Sequence, residues 1–111
     1  MSELSHTPEP PYYAVIFTSR RAEQHEGYGE MADRMVELAG EQPGFLGIES
    51  AREGAVGITV SYWSSLEAID GWRKHTEHRE AQRIGRDAWY DEYSVRVARV
   101  QRARSFERVE D

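Results

Sequence analysis

The chain has 111 residues, 39% hydrophobic and 31% charged, with 14 Lys and Arg against 20 Asp and Glu for a formal charge of −6. That is one small, surface-dominated domain, which gains from burying further area in an oligomer. The acidity excludes a surface built for the nucleic-acid phosphate backbone, the lack of cysteine excludes disulfides, thiolate metal ligands and Cys nucleophiles, and no uncharged run is long enough to cross a bilayer.

Residues 1–11 hold three of the four prolines and show no periodicity, which reads as a disordered N-terminal tail. The start has neither the basic segment nor the apolar segment of a leader, so a cytoplasmic protein is expected. The folded domain is placed at residues 12–106 and a C-terminal tail at 107–111. Tyr12 to Ser19 is β-branched and aromatic on both alternating faces, the pattern of a central strand covered on both sides. From Gln24 to Gly40, Tyr28, Met31, Met35 and Leu38 recur at spacings of three and four with Glu30, Asp33, Arg34 and Glu37 between them, predicting an amphipathic helix.

Phe45 to Arg52 and Val56 to Trp63 predict a hairpin around Glu53-Gly54-Ala55. Gly47 and Gly57 inside those strands point to close approach of another backbone, a bulge, or room for a ligand. Ser64-Ser65-Leu66-Glu67 has capping-box spacing, and Leu66, Ile69 and Trp72 give the following helix an apolar face. At 100° per residue His78 lies about 180° from Ile69, so a break is expected near Gly71 to Lys74 and a second helix from His75 to Trp89. Tyr93 to Phe106 is expected as a last strand, with a bulge near Ala98 where the apolar spacing changes parity. This order is the split βαβ of a ferredoxin-like α+β domain: an antiparallel sheet with helices on one face. The uncovered face has apolar residues of its own, so a homodimer through the sheet face is expected.

The second helix carries the chemistry. Measured from His78, the residues Ala81, Gln82, Gly85 and Trp89 fall within about 60°, and His75 lies at the edge of the stripe. Glu77, Arg79, Glu80, Arg83 and Asp87 occupy the opposite side. An inward stripe of imidazole, amide and small residues fits a cavity against the sheet, or alternatively a satisfied core histidine with ordinary small-residue packing. His75 and His78 supply only two of the ligands a zinc or iron site needs, so no metal is expected. One histidine near neutral pKa suits proton abstraction from a phenolic or enolic hydroxyl. Trp63, Trp72 and Trp89, with Tyr62 and Tyr90, are either walls for a flat aromatic ligand or the bulk of a small core. Arg86 beside the stripe is placed to bind an oxyanion, though an exposed helical Arg is most often simply solvated.

The stretches Tyr12-Tyr-Ala-Val-Ile-Phe-Thr-Ser19, Gln42-Pro-Gly-Phe-Leu-Gly-Ile-Glu-Ser50, Gly57-Ile-Thr-Val-Ser-Tyr-Trp63 and Ser65-Leu-Glu-Ala-Ile-Asp-Gly-Trp72, followed by the His78 helix and Trp89-Tyr90, resemble the antibiotic biosynthesis monooxygenase (ABM) domain family over residues 12–106. The resemblance implies a dimeric α+β barrel with a pocket between sheet and helices in each protomer. It also implies a cofactor-independent monooxygenase that oxidises a phenolic, quinol or anthrone-like compound with dioxygen, the substrate itself reducing the oxygen. On that mechanism His78 is the base, Trp63 and Trp72 are walls, and Gln82 or Arg86 polarises the oxygen that develops charge. His75, Trp72, Arg86 and Trp89 then line the substrate site, and no cofactor is needed. Haem-degrading relatives place an axial histidine where Gln82 is expected, which disfavours haem, although His75 or His78 could substitute. A non-catalytic dimer that binds a small aromatic ligand is the alternative reading.

Overall fold

The computed structural model of the chain describes residues 4–109. Strand β1 spans Tyr12–Arg21, helix α1 Tyr28–Gly40, β2 Phe45–Glu53, β3 Val56–Trp63, α2 Leu66–Lys74 and α3 Thr76–Ile84; a π turn at Gly85–Trp89 leads into β4, Tyr90–Val100. The four strands form one antiparallel sheet in the order β2-β3-β1-β4. This is the ferredoxin-like α+β arrangement, with β1 inside the sheet.

Side chains opposite one another on an antiparallel ladder share a face. Tyr13 pairs with Trp63 and Trp63 with Phe45, while Val15 and Phe17 pair with Val97 and Val95. All these residues face the helices, since Trp63 stacks on Trp72 of α2 and Phe17 contacts Tyr90, which meets Tyr28 of α1. The core sits under α1 and α2, where Leu38, Ala39 and Trp63 are buried. Met31 and Met35 are half-buried and Glu30, Asp33, Arg34 and Glu37 are exposed, in line with the amphipathic pattern. Helix α1 starts at Tyr28 rather than Gln24, behind Gly27 with φ +81°.

Two glycines are fixed by their surroundings. Gly44 has φ +84°, and a Cβ there would lie 2.6 Å from the Ala68 Cβ and 2.8 Å from the Ser64 Oγ. Only glycine allows the chain to enter β2 this close to α2. A Cβ on Gly47 would meet the Ser5 side chain at 2.6 Å, at a register shift between Phe45 and Gly47. Bulge and close approach therefore coincide at Gly47.

The opposite face of the sheet carries Tyr12, Ala14, Ile16 and Thr18 of β1 with Tyr62, Val60 and Ile58 of β3 and Ala98 of β4. The described part of the N-terminal segment, from Leu4 to Pro11, has no helix or strand, in keeping with its prolines, but it is tied to this side. The Ser5 backbone N–H donates to Glu49 Oε2 (3.0 Å), its hydroxyl to the Ile48 carbonyl (3.1 Å), and Thr7 shares a hydrogen bond with the Tyr12 hydroxyl (2.8 Å). Glu49 also accepts from the Tyr62 hydroxyl, and burial together with that carboxylate pushes the Tyr62 pKa up to about 12. Val56 and Ile58 remain uncovered at 44% and 47% exposure.

Four sequence expectations are corrected. The break is where it was expected, α2 ending at Lys74 and the extended His75 (φ −58°, ψ 131°) capping α3, but the second helix is α-helical only to Ile84 rather than Trp89, because Gly85–Trp89 widens into the π turn. Leu66 does not join the apolar face of α2 and is 51% exposed. Strand β4 ends at Val100 rather than Phe106, since Val100 pairs with Tyr12, the first residue of β1, and nothing remains for later residues to pair with. The irregularity in β4 is not at Ala98, which pairs in register with Ala14; it lies at Asp91, between the pairs Arg20–Glu92 and Arg21–Tyr90.

Candidate functional site

Two of the tryptophans and two histidines converge where β3, α2 and α3 meet. Trp63 closes β3 with no exposed surface, and its Nε1 donates to the Ser61 hydroxyl (2.9 Å). Ser65 then caps α2, accepting from the Ala68 N–H (3.1 Å), and sets the phase that brings Trp72 over Trp63. The indoles are stacked with centroids 6.3 Å apart and planes 23° apart. Trp72 also stacks on the His78 imidazole, 4.2 Å between centroids and 11° from parallel. His75 leans on the same indole at 5.7 Å.

The two imidazoles have different duties. His75 Nδ1 accepts the Glu77 backbone N–H (3.3 Å), so this histidine is the N-cap of α3. His78 Nδ1 lies 3.0 Å from the Trp72 carbonyl. A carbonyl only accepts, so Nδ1 carries the proton and Nε2 holds the free lone pair of a neutral ring. Burial lowers the His78 pKa, the Trp72 carbonyl opposes that by holding the Nδ1 proton, and the positive charge available to His75 lowers it further. Among the described residues no buried side-chain nitrogen or oxygen lacks a partner. Among the described residues Nε2 has no hydrogen-bond partner, so it is not a fully buried atom.

Along α3 the buried stripe follows the sequence pattern. His78, Ala81 and Gln82 are half-buried, Gly85 and Trp89 buried, and Glu77, Arg79, Glu80, Arg83 and Asp87 exposed. The stripe nevertheless spans two places. Eleven residues separate His78 from Trp89, roughly 16 Å of helical rise. Trp89 belongs to the far end, where its Nε1 donates to the Glu26 carbonyl (2.9 Å) and its ring meets Tyr28 edge-on. Gln82 lies between the two ends, and Arg86 is exposed. The structure thus gathers Trp63, Trp72, His75 and His78 and leaves Arg86 and Trp89 apart from them.

The far end is an aromatic cluster that the sequence pattern showed only in part. Tyr93, Phe17, Tyr90, Tyr28 and Trp89 contact one another in sequence at centroid distances of 5.3 to 5.8 Å. The π turn puts Tyr90 there: its N–H bonds back to the Gly85 carbonyl, and the ring lies against Gly85. Burial and a hydrogen bond with Tyr28 push the Tyr90 pKa upward, so its hydroxyl stays protonated. A groove of about 530 Å³ runs beside Trp72, walled by Pro43, Gly44, Ser65, Ala68 and Gly71. Among the described residues no group of three His, Asp or Glu side chains could hold a metal ion, and no helix is long and apolar enough to cross a membrane.

The antibiotic biosynthesis monooxygenase family matches residues 11–84. The chain belongs to this family. The ABM domain accounts for the whole arc from β1 through α3, including Trp63, Trp72 and His78. The chain is similar to YqjZ, an uncharacterised protein of Bacillus subtilis (strain 168), at 61% identity over 96% of this chain and 95% of that one. Among solved structures, Rv0793 from Mycobacterium tuberculosis superposes with a TM-score of 0.75 at 14% identity, covering 85% of this chain and 99% of that one. SnoaB, a cofactor-independent oxygenase from Streptomyces nogalater, does so with a TM-score of 0.71 at 10% identity over 83% and 95% of the two chains. At these identities the two structures show a common ABM fold.

Proposed function

We propose that this ABM domain is a cofactor-independent monooxygenase of small aromatic compounds, with His78 as the base. The observation that carries the reading is the hydrogen bond from His78 Nδ1 to the Trp72 carbonyl. It fixes the tautomer whose Nε2 accepts a proton, and burial keeps the ring neutral at neutral pH. The fold shared with SnoaB, a cofactor-independent oxygenase, supports the same reaction class.

In this reaction Nε2 removes a proton from a phenolic or anthrone-like substrate. The resulting anion reduces dioxygen; one oxygen atom enters the product as a carbonyl and the other leaves as water. Trp72 supplies an apolar edge for a flat ring, Trp63 holds Trp72 from behind, and His75 fixes the start of the helix that bears His78. The amide of Gln82, one turn on from His78, is the group placed to donate to the oxygen that gains charge. Arg86 and Trp89 lie at the far end of the stripe, apart from Nε2, and have no part in this step. The active form is a homodimer through the uncovered sheet face, in which Val56 and Ile58 find partners.

Dissolved-oxygen consumption by metal-stripped protein, with a panel of hydroquinones, naphthols and anthrones, tests this. Uptake is expected to survive chelation and to fall by about 100-fold or more in His78→Ala, the usual range for loss of a positioned base. A folded, dimeric protein that consumes no oxygen across the panel would instead be a ligand-binding member of the family.

A further inference from the structure

Two arginines at the far end of the sheet have no role in the His78 reaction. Arg21 ends β1 and Arg52 lies near the end of β2, and both guanidinium groups sit over the ring of Tyr28, with Cζ 5.2 and 5.4 Å from its centroid. Arg52 is held in place: Nη2 donates to the Tyr28 hydroxyl (2.8 Å) and Nη1 to the Ala55 carbonyl (3.0 Å). Its ladder partner is Gly57, where a Cβ would lie 2.7 Å from Nη2, so the glycine leaves the space that the guanidinium fills. Arg21 pairs across the ladder with Tyr90.

The chain has 20 acidic residues, and Arg20, Arg34, Arg73 and Arg83 each find a carboxylate. Neither Arg21 nor Arg52 has a carboxylate at ion-pair distance among the described residues. Two like charges gathered around one ring repel, and an anion between them removes that repulsion. Guanidinium groups meet carboxylates through paired N–H donors. Beside them Tyr28, Tyr90 and Phe17 are half-buried and Tyr93 is 37% exposed, which leaves ring surface for an aryl group to contact edge to face.

We propose that Arg21, Arg52 and Tyr28 form a binding site for an aromatic carboxylate, with the carboxylate between the guanidinium groups and the ring against Tyr90 and Tyr93. The site does not depend on the oxygenase reading, because it lies at the opposite end of the helix stripe from His78.

The test is titration of the full chain with sodium benzoate, read by calorimetry and by the emission of Trp89 beside Tyr28, with inorganic phosphate and matched sodium chloride as comparison arms. Saturable benzoate binding is expected, weakened about tenfold or more in Arg21→Gln and in Arg52→Gln, the scale of one charge-assisted hydrogen bond, and unchanged in Arg79→Gln on the exposed side of α3. Among the described residues Arg21 makes no side-chain hydrogen bond, so Arg21→Gln disturbs fewer contacts than Arg52→Gln, and circular dichroism checks the fold of both. Benzoate binding no stronger than chloride, binding indifferent to both substitutions, or binding of phosphate without benzoate would each overturn the assignment.

Discussion

His78 is a half-buried histidine whose bond to a carbonyl does not offset its desolvation, so its pKa in the folded protein lies below the ordinary value of 6.5. Above that value both folded and unfolded chains carry a neutral imidazole, and the shift changes nothing. As pH falls through it the unfolded chain binds the proton first, and stability declines until the folded pKa is reached. Urea midpoints measured between about pH 7 and pH 5 should therefore drop more steeply for the native protein than for His78→Gln. Equal slopes would mean that the imidazole is solvated. Trp63 shows why the same residue type resisted a sequence-level assignment. Tryptophan serves as wall or as core bulk; zero exposure makes Trp63 core, while Trp72, one layer outward, is the indole that the imidazole touches. Nothing in the spacing of two tryptophans ranks them in depth.

At the scale of elements, alternation and helical spacing made the seven main pieces legible, because each has one apolar face and one charged or covered face. The errors came where both faces are apolar. Val95 and Val97 point to the helices and Val100 to the other side, so the parity change near Ala98 records a change in which face is apolar, not an inserted residue. The real insertions, the π turn at Gly85–Trp89 and the bulge at Asp91, follow one another directly, and no composition signal marks them. Arg52 and Arg21 were also missed, although the Glu53-Gly54-Ala55 turn already sets Arg52 opposite Gly57. A helix start at Ser64-Ser65 was legible, but the capping-box spacing to Glu67 points to Ser64 as the cap, and it is Ser65, accepting from the Ala68 N–H, that fixes the phase of α2 under the site. Ser65→Ala should lower stability by about 1 kcal/mol. Since α2 carries Trp72, near-ultraviolet circular dichroism of the indoles should weaken with it; a variant with unchanged stability and spectrum would show that tertiary packing alone sets the helix phase.

The whole molecule is thin. Its principal extents are 46 × 34 × 21 Å, and the shortest equals about two layers of secondary structure spaced roughly 10 Å apart. A surface of 8407 Å² exceeds the roughly 6,300 Å² expected for a compact monomer of this size. The excess fits a sheet left partly open, at Val56 and Ile58 on one face and at Val95 and Val97 on the other, and an exposed stretch after Val100. Ile58→Glu, near the hairpin end of the face opposite the helices, should give a monomer by light scattering at micromolar concentration while the far-ultraviolet spectrum stays native. A native dimer mass in that variant would place the interface elsewhere.

The stack of Trp63, Trp72 and His78 also makes the site its own optical probe. Two nearly parallel indoles at 6.3 Å couple their electronic transitions, and an imidazole lying flat on the outer indole quenches its emission far better once it carries a proton. Any molecule that lodges at Nε2, or any change in the ionisation of that ring, is thus written into the ultraviolet spectrum and the fluorescence yield of the unlabelled protein. Substrate searches can then be run as plain titrations in a cuvette, without knowing in advance what product to look for.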